Sequence, residues 1–168
     1  MDNSHVASHS SSMSRRPPPD VFLSFRGPDT RWNFAKFLHM MLTRAGIDVF
    51  IDEIDLPKGN DLNDELIAVI SQSKLSIAVI SEDYVSSKSC LMELEQMLKW
   101  KDSESHTIIP IFYYVDPSDV RHCKGPFARS MREHNDSGSD ATVIGFWKSA
   151  LNRIGRMAGH HLCENNEG

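Results

Sequence analysis

The segment Leu75-Ser76-Ile77-Ala78-Val79-Ile80-Ser81 decides how the chain folds. It is strand-sized and almost continuously apolar, whereas a strand with one wet face alternates apolar and polar side chains. Runs of this kind belong to parallel sheets whose two faces are both covered. Val21–Phe25, Asp48–Ile51 and Ile108–Tyr114 share the character, and a short terminal strand is expected near His160–Cys163. Between them the period changes to that of a helix. Phe34, Phe37, Leu38, Met41, Leu42 and Ala45 recur at helical spacing, and Gly46 ends that segment. Leu62, Leu66, Val69 and Ile70 mark a second helix, and Cys90, Leu91, Leu94, Met97 and Leu98 a third. Phe127 to His134 supplies a short fourth; Trp147, Ala150, Leu151, Ile154 and Met157 mark the last. Alternating β and α units on one sheet make an α/β, doubly wound architecture, and right-handed crossovers leave few strand orders. The expectation is a flavodoxin-like, five-stranded parallel sheet of order 2-1-3-4-5 with helices on both faces. Any site then lies at the carboxyl ends of the strands.

Composition sets the outer bounds. The 168 residues suit one domain, and 40% apolar with 24% charged residues is ordinary for a soluble core. No stretch approaches the roughly 20 apolar residues of a membrane span, and no apolar core follows the basic residues near the N-terminus, so no secretory signal or membrane partner is expected. Cys90, Cys123 and Cys163 have wide, unpatterned spacing, which points to a reducing compartment and a cytoplasmic protein. A net charge of −5 argues against nucleic acid as a partner. Residues 1–19, rich in serine and ending in Arg15-Arg16-Pro17-Pro18-Pro19, read as a disordered tail. The domain is expected over residues 20–163, with a second tail at 164–168.

Three places at the carboxyl edge carry chemistry. The loop after the first strand runs Ser24-Phe25-Arg26-Gly27-Pro28-Asp29-Thr30-Arg31. Gly27 relaxes the turn, Asp29 or Thr30 can cap the next helix, and Arg26 and Arg31 bring positive charge for a phosphate. A capped turn with two solvated arginines fits the same residues. The loop from Asp52 to Leu62 is long for its place and contains Pro57-Lys58-Gly59, a length common in functional loops, and a disordered surface loop fits equally. On the third helix, Glu93 falls about 40° outside Met97 on the margin of the apolar stripe, and Glu95 lies on the opposite margin. Periodicity alone does not choose between the two.

Other chemistries fit poorly. Neither G-x-G-x-x-G nor G-x-x-x-x-G-K-[ST] is present. A phospho-accepting receiver needs acids after the first strand, where Phe25-Arg26-Gly27 stands. Cys90 sits on the apolar stripe and reads as structural rather than nucleophilic. His160, His161 and Cys163 lack a second ligand cluster, so no metal is expected.

The chain resembles a plant-type TIR (Toll/interleukin-1 receptor) domain. The likeness rests on Asp20-Val21-Phe22-Leu23-Ser24-Phe25-Arg26-Gly27-Pro28-Asp29-Thr30-Arg31, then Ser87-Lys88-Ser89-Cys90-Leu91-Met92-Glu93-Leu94, and then Ile109 to Arg121 and Phe146 to Leu151. It implies a TIR-only protein or the N-terminal domain of an immune receptor. It further implies cleavage of NAD⁺ between nicotinamide and ribose, with NADP⁺ as an alternative substrate and no added cofactor. By the resemblance Glu93 is the essential carboxylate. Arg26, Gly27, Asp29, Thr30 and Arg31 form the first loop of the NAD⁺ pocket and Gly59 belongs to the second. The resemblance also implies a homo-oligomer built through TIR–TIR contacts, contacts with other TIR proteins, and signalling in plant immunity and cell death. Its alternative is a non-catalytic adaptor acting by the same contacts. Two departures stand out. Ser89 occupies the place of a tryptophan four residues before the glutamate, and Lys36-Phe37 that of a Ser-His pair on the first helix.

Overall fold

In a computed structural model of the chain, residues 17–27, 34–51 and 62–163 are described. Strands β1 (Val21–Ser24), β2 (Val49–Ile51), β3 (Leu75–Ile80), β4 (Thr107–Tyr113) and β5 (His160–Leu162) form one sheet in the order β2-β1-β3-β4-β5. Every pairing is parallel, in the registers Val21↔Val49, Val21↔Leu75, Leu75↔Thr107 and Ile111↔His160. The order is the one the alternating pattern implied. The helices are α1 (Lys36–Arg44), α2 (Asp64–Gln72), α3 (Lys88–Glu104), α4 (Pro117–Arg121), α5 (Pro126–Asp136) and α6 (Ala141–Gly155).

Side-chain alternation along the strands divides the core into two layers. Phe22, Ala78, Ile80, Ile108 and Phe112 pack with residues of α2, α3, α5 and α6. Val21, Leu23, Ile77, Val79 and Ile111 face the other way, toward Phe34, Leu38 and Leu42 at α1. A right-handed β1–α1–β2 unit runs opposite to the later units along the sheet, which sets α1 on the other face. The central strands are buried as expected, whereas edge strand β2 is only half-buried along its length.

The third helical stripe is buried at all five positions, but the first is not: Phe37 and Met41 are exposed, as is Met40, and α1 has no fully buried residue. Helix α4 was not among the expected helices. Its signal was an Asp-Pro pair, because the Asp116 carboxylate accepts the Ser118 N–H at 2.8 Å and Pro117 occupies a first-turn position that needs no donor. Pro110 in β4 has no N–H for a ladder, and pairing with β5 begins only at Ile111. Among the described residues no helix is long and apolar enough to cross a membrane.

Two glycines of α6 should respond oppositely to alanine. A Cβ on Gly155 would lie 2.7 Å from the Arg121 backbone nitrogen, whereas one on Gly145 meets nothing within 4 Å. Gly155→Ala should cost about 1–3 kcal/mol by overpacking, and Gly145→Ala should add about 0.5–1 kcal/mol through helix propensity. Thermal unfolding checks both; equal shifts would contradict the packing. His106, buried against Ser76 Oγ at 2.7 Å, has its pKa lowered from the ordinary 6.5 by burial and then by Lys101. The folded state then binds fewer protons than the unfolded state below about pH 6.5, so acid removes stability there. In urea titrations from about pH 7 down to pH 5, His106→Gln should lose less stability than the parent chain.

Candidate active site

Three elements converge at the carboxyl edge of the sheet. Ser24 ends β1. Tyr84 opens a 3₁₀ turn (Tyr84–Ser86) four residues beyond the end of β3, and Glu93 lies on the second turn of α3. Helix α3 starts where it does because Ser87 caps it, its hydroxyl accepting the Cys90 N–H at 3.2 Å. The burial of Cys90, Leu91, Leu94 and Met97 fixes the rotation of α3 and turns Glu93 inward. Glu93 is 5% exposed, rare for a carboxylate and costly unless its charge is met by donors.

Ser24 meets it. Its hydroxyl donates to Glu93 Oε2 at 2.5 Å, a short bond of the charge-assisted kind. Ser24 has one proton and Glu93 takes it, so the Tyr84 hydroxyl donates to Ser24 Oγ at 2.8 Å. The Cys90 carbonyl oxygen is 3.2 Å from the same phenol. Tyr84 is fully buried, and its pKa is pushed well above 10, by burial first and then by Cys90 and Glu93. It therefore remains a donor at physiological pH. The result is a polarised chain running Tyr84 to Ser24 to Glu93, in which each bond strengthens the next. The Cys90 thiol points back to the Phe25 carbonyl oxygen at 3.6 Å, the structural role read from the sequence.

Nearby, the Ser81 hydroxyl just past β3 is buried without a partner among the described residues. An unsatisfied hydroxyl at a sheet's carboxyl edge is the kind of group a bound molecule or water completes. Arg26 and Gly27 follow Ser24 by two and three residues and are half-buried. Asp29, Thr30, Arg31 and Gly59 lie outside the described residues. Glu95 is directed elsewhere: burial raises its pKa, and the Trp147 indole of α6 offsets part of the shift. The two glutamates that periodicity left equivalent thus have different surroundings, and only Glu93 joins the edge cluster. Sequence reasoning missed Tyr84 and the role of Ser24, although a tyrosine just past a central strand was the available signal. Among the described residues no group of three His, Cys, Asp or Glu side chains is placed to hold a metal ion.

Residues 20–167 match the TIR domain family. The chain belongs to the TIR domain family. It is 42% identical over 159 residues to TMV resistance protein N of Nicotiana glutinosa, covering 94% of this chain and 14% of that one. It is 38% identical to disease resistance protein RPV1 of Vitis rotundifolia, covering 95% of this chain and 11% of the relative. This TIR domain therefore corresponds to a small part of those proteins. A solved structure of the TIR domains in the activated Roq1 resistosome, which directly recognizes the pathogen effector XopQ, superposes with a TM-score of 0.80 at 35% identity. It covers 89% of this chain and 91% of that one. The five-stranded α/β fold of this TIR domain is thus shared with the TIR domains of that resistosome.

The hydroxyl–carboxylate bond is testable by itself. A double-mutant cycle with Ser24→Ala and Glu93→Ala should give a coupling of about 1.5–3 kcal/mol in urea unfolding, the range for a hydrogen bond to a buried charge. Additive effects would contradict the bond.

Proposed function

We propose that this TIR domain cleaves NAD⁺ at the nicotinamide–ribose bond when copies of it assemble. One observation carries the reading: a buried carboxylate, oriented by a hydroxyl, at the sheet edge where doubly wound folds bind ligands. Nicotinamide leaves a cationic glycoside as a neutral molecule and takes the C–N electron pair with it, so the reaction needs no general acid. Positive charge then grows on the ribose. The Glu93 carboxylate stabilises this oxocarbenium-like state and orients the attacking group, and Ser24 holds the carboxylate in place. Attack by water gives ADP-ribose and a proton; attack by a group of the substrate itself gives a cyclic product. The resemblance to the family assigns Arg26, Gly27, Asp29, Thr30, Arg31 and Gly59 to the nucleotide-binding loops. NADP⁺ fits the same chemistry, and no further cofactor is required.

Assembly has its own support. Phe37, Met40 and Met41 expose apolar surface on α1, 54%, 39% and 45% respectively, which is characteristic of an interaction face. The similar Roq1 TIR domains are those of an activated assembly. In this reading the products signal in plant immunity and cell death from the cytoplasm, through homotypic contacts and contacts with other TIR proteins. Ser89 favours a second reading, a non-catalytic adaptor. It removes an aromatic platform worth about 1 kcal/mol of stacking while leaving the α1 face intact.

Nicotinamide release, followed by chromatography over a range of protein concentrations, distinguishes them. The enzyme reading expects release that rises faster than linearly with protein and disappears in Glu93→Ala, while sedimentation shows self-association unchanged. Self-association with no release at any concentration would leave the adaptor.

A further inference from the structure

The bond between Ser24 and Tyr84 has no fixed direction. Its two oxygens lie 2.8 Å apart and each is a hydroxyl, so either can donate. Each hydroxyl has one proton and two acceptors within reach. The Ser24 proton can go to Glu93 Oε2 at 2.5 Å or to Tyr84 Oη. The Tyr84 proton can go to Ser24 Oγ or to the Cys90 carbonyl oxygen at 3.2 Å.

Two complete arrangements follow. With Glu93 ionised, Tyr84 donates to Ser24 and Ser24 to Glu93. With Glu93 protonated, the carboxyl group becomes a donor itself. It donates to Ser24, Ser24 donates to Tyr84, and Tyr84 donates to the Cys90 carbonyl, where the chain ends on an acceptor. Neither arrangement orphans a donor, although all three side chains are buried, where an orphan costs most. Burial holds the Tyr84 pKa well above 10, so the phenol keeps its proton in both. The other ionisable groups on the elements around Glu93 are Arg26 after β1, Glu82 and Asp83 before the turn, and Lys88 and the Cys90 thiol on α3. His134 of α5 is bonded to the Val85 carbonyl oxygen. Among the described residues the Ser24 hydroxyl meets only Glu93 and Tyr84, so Tyr84 is the acceptor that the protonated state needs.

We infer that Ser24, Tyr84 and the Cys90 carbonyl form a reversible chain that lets Glu93 take up a proton inside the fold, with Tyr84 as its positioning residue. The consequence for the reaction rests on the proposed NAD⁺ cleavage. Nicotinamide leaves with the C–N electron pair, and an oxygen lone pair of water forms the new bond to the ribose carbon. The water oxygen then loses a proton to the Glu93 carboxylate, which becomes neutral, and the chain turns over. When product departs, Glu93 returns that proton to solvent. Glu93 is thus the base for the attacking group as well as the stabiliser of positive charge.

The first measurement needs no turnover. In the full chain, labelled with ¹³C at the glutamate carboxyls, Glu93 is assigned by its loss in Glu93→Gln and titrated by NMR. Tyr84→Phe removes the acceptor for Ser24 and leaves a buried donor unmet whenever Glu93 is protonated. In that variant Glu93 should therefore protonate about one pH unit lower than in the parent chain. A chain that runs one way only predicts the opposite, because a lost phenol donor weakens the carboxylate. Protonation at the same or a higher pH would overturn the inference. A second measurement keeps Tyr84. With Tyr113→Phe and Tyr114→Phe it is the only tyrosine left, and isotope-edited infrared spectroscopy of its C–O stretch should show it becoming an acceptor as Glu93 protonates. An unchanged band also contradicts the reversal. Nicotinamide release against pH then tests the base. Its acid limb should move down in Tyr84→Phe by the same amount, with KM unchanged. A limb that stays in place, or a parent chain that releases no nicotinamide, would overturn the base role alone.

Discussion

The structure depends on a carboxylate that the fold has taken out of water. Burying Glu93 without donors would cost several kcal/mol, so the fold must bring donors to it. One comes from a different element: the hydroxyl of Ser24, at the end of the strand two sheet positions from β4. That requirement fixes the depth of α3 against β1. It also explains the fully buried tyrosine behind the serine, because Tyr84 supplies the proton that Ser24 Oγ accepts once its own has gone to Glu93. The turn carrying Tyr84 is itself held from outside, as His134 Nε2 of α5 is hydrogen bonded to the Val85 carbonyl oxygen at 2.7 Å. Strand, turn and helix α3 thus share one polar chain inside an otherwise apolar layer, and α5 braces the turn.

The topology does the rest. With order β2-β1-β3-β4-β5, the first and third strands are neighbours, so the loops that follow them open side by side at the carboxyl edge. A site built there draws on residues far apart in sequence, such as Ser24 and Glu93, 69 residues apart. Position on a helix packed against the sheet, rather than on a loop, gives the carboxylate its fixed direction.

Much of this was legible in the residues. Continuous apolar runs located the buried strands to within a residue, because a covered parallel sheet has no wet face to impose alternation. Cys90, Leu91, Leu94, Met97 and Leu98 gave the buried stripe of α3 outright. Helical period did not separate Glu93 from Glu95, because the two lie on opposite margins of that stripe; only packing distinguishes the side facing β1 from the side facing α6. The Tyr84–Ser24 chain was illegible for a related reason, since hydroxyl partners across elements leave no periodic trace. Helix α1 misled in the other direction: only the row Phe34, Leu38 and Leu42 of its apolar stripe packs on the sheet, and Phe37 and Met41 remain at the surface. Periodicity reports that a face is apolar, not what covers it.

In the proposed reaction the negative charge of Glu93, rather than its shape, stabilises the transition state. Glu93→Gln removes the charge and keeps the volume and an oxygen for the Ser24 hydroxyl. The measurement is its rate of nicotinamide release from NAD⁺ beside the parent chain, at a protein concentration where both self-associate equally. A loss of about 10²-fold or more, the scale for removing an electrostatic contact to a transition state, is the expected result. Turnover equal to that of the parent chain would contradict the account.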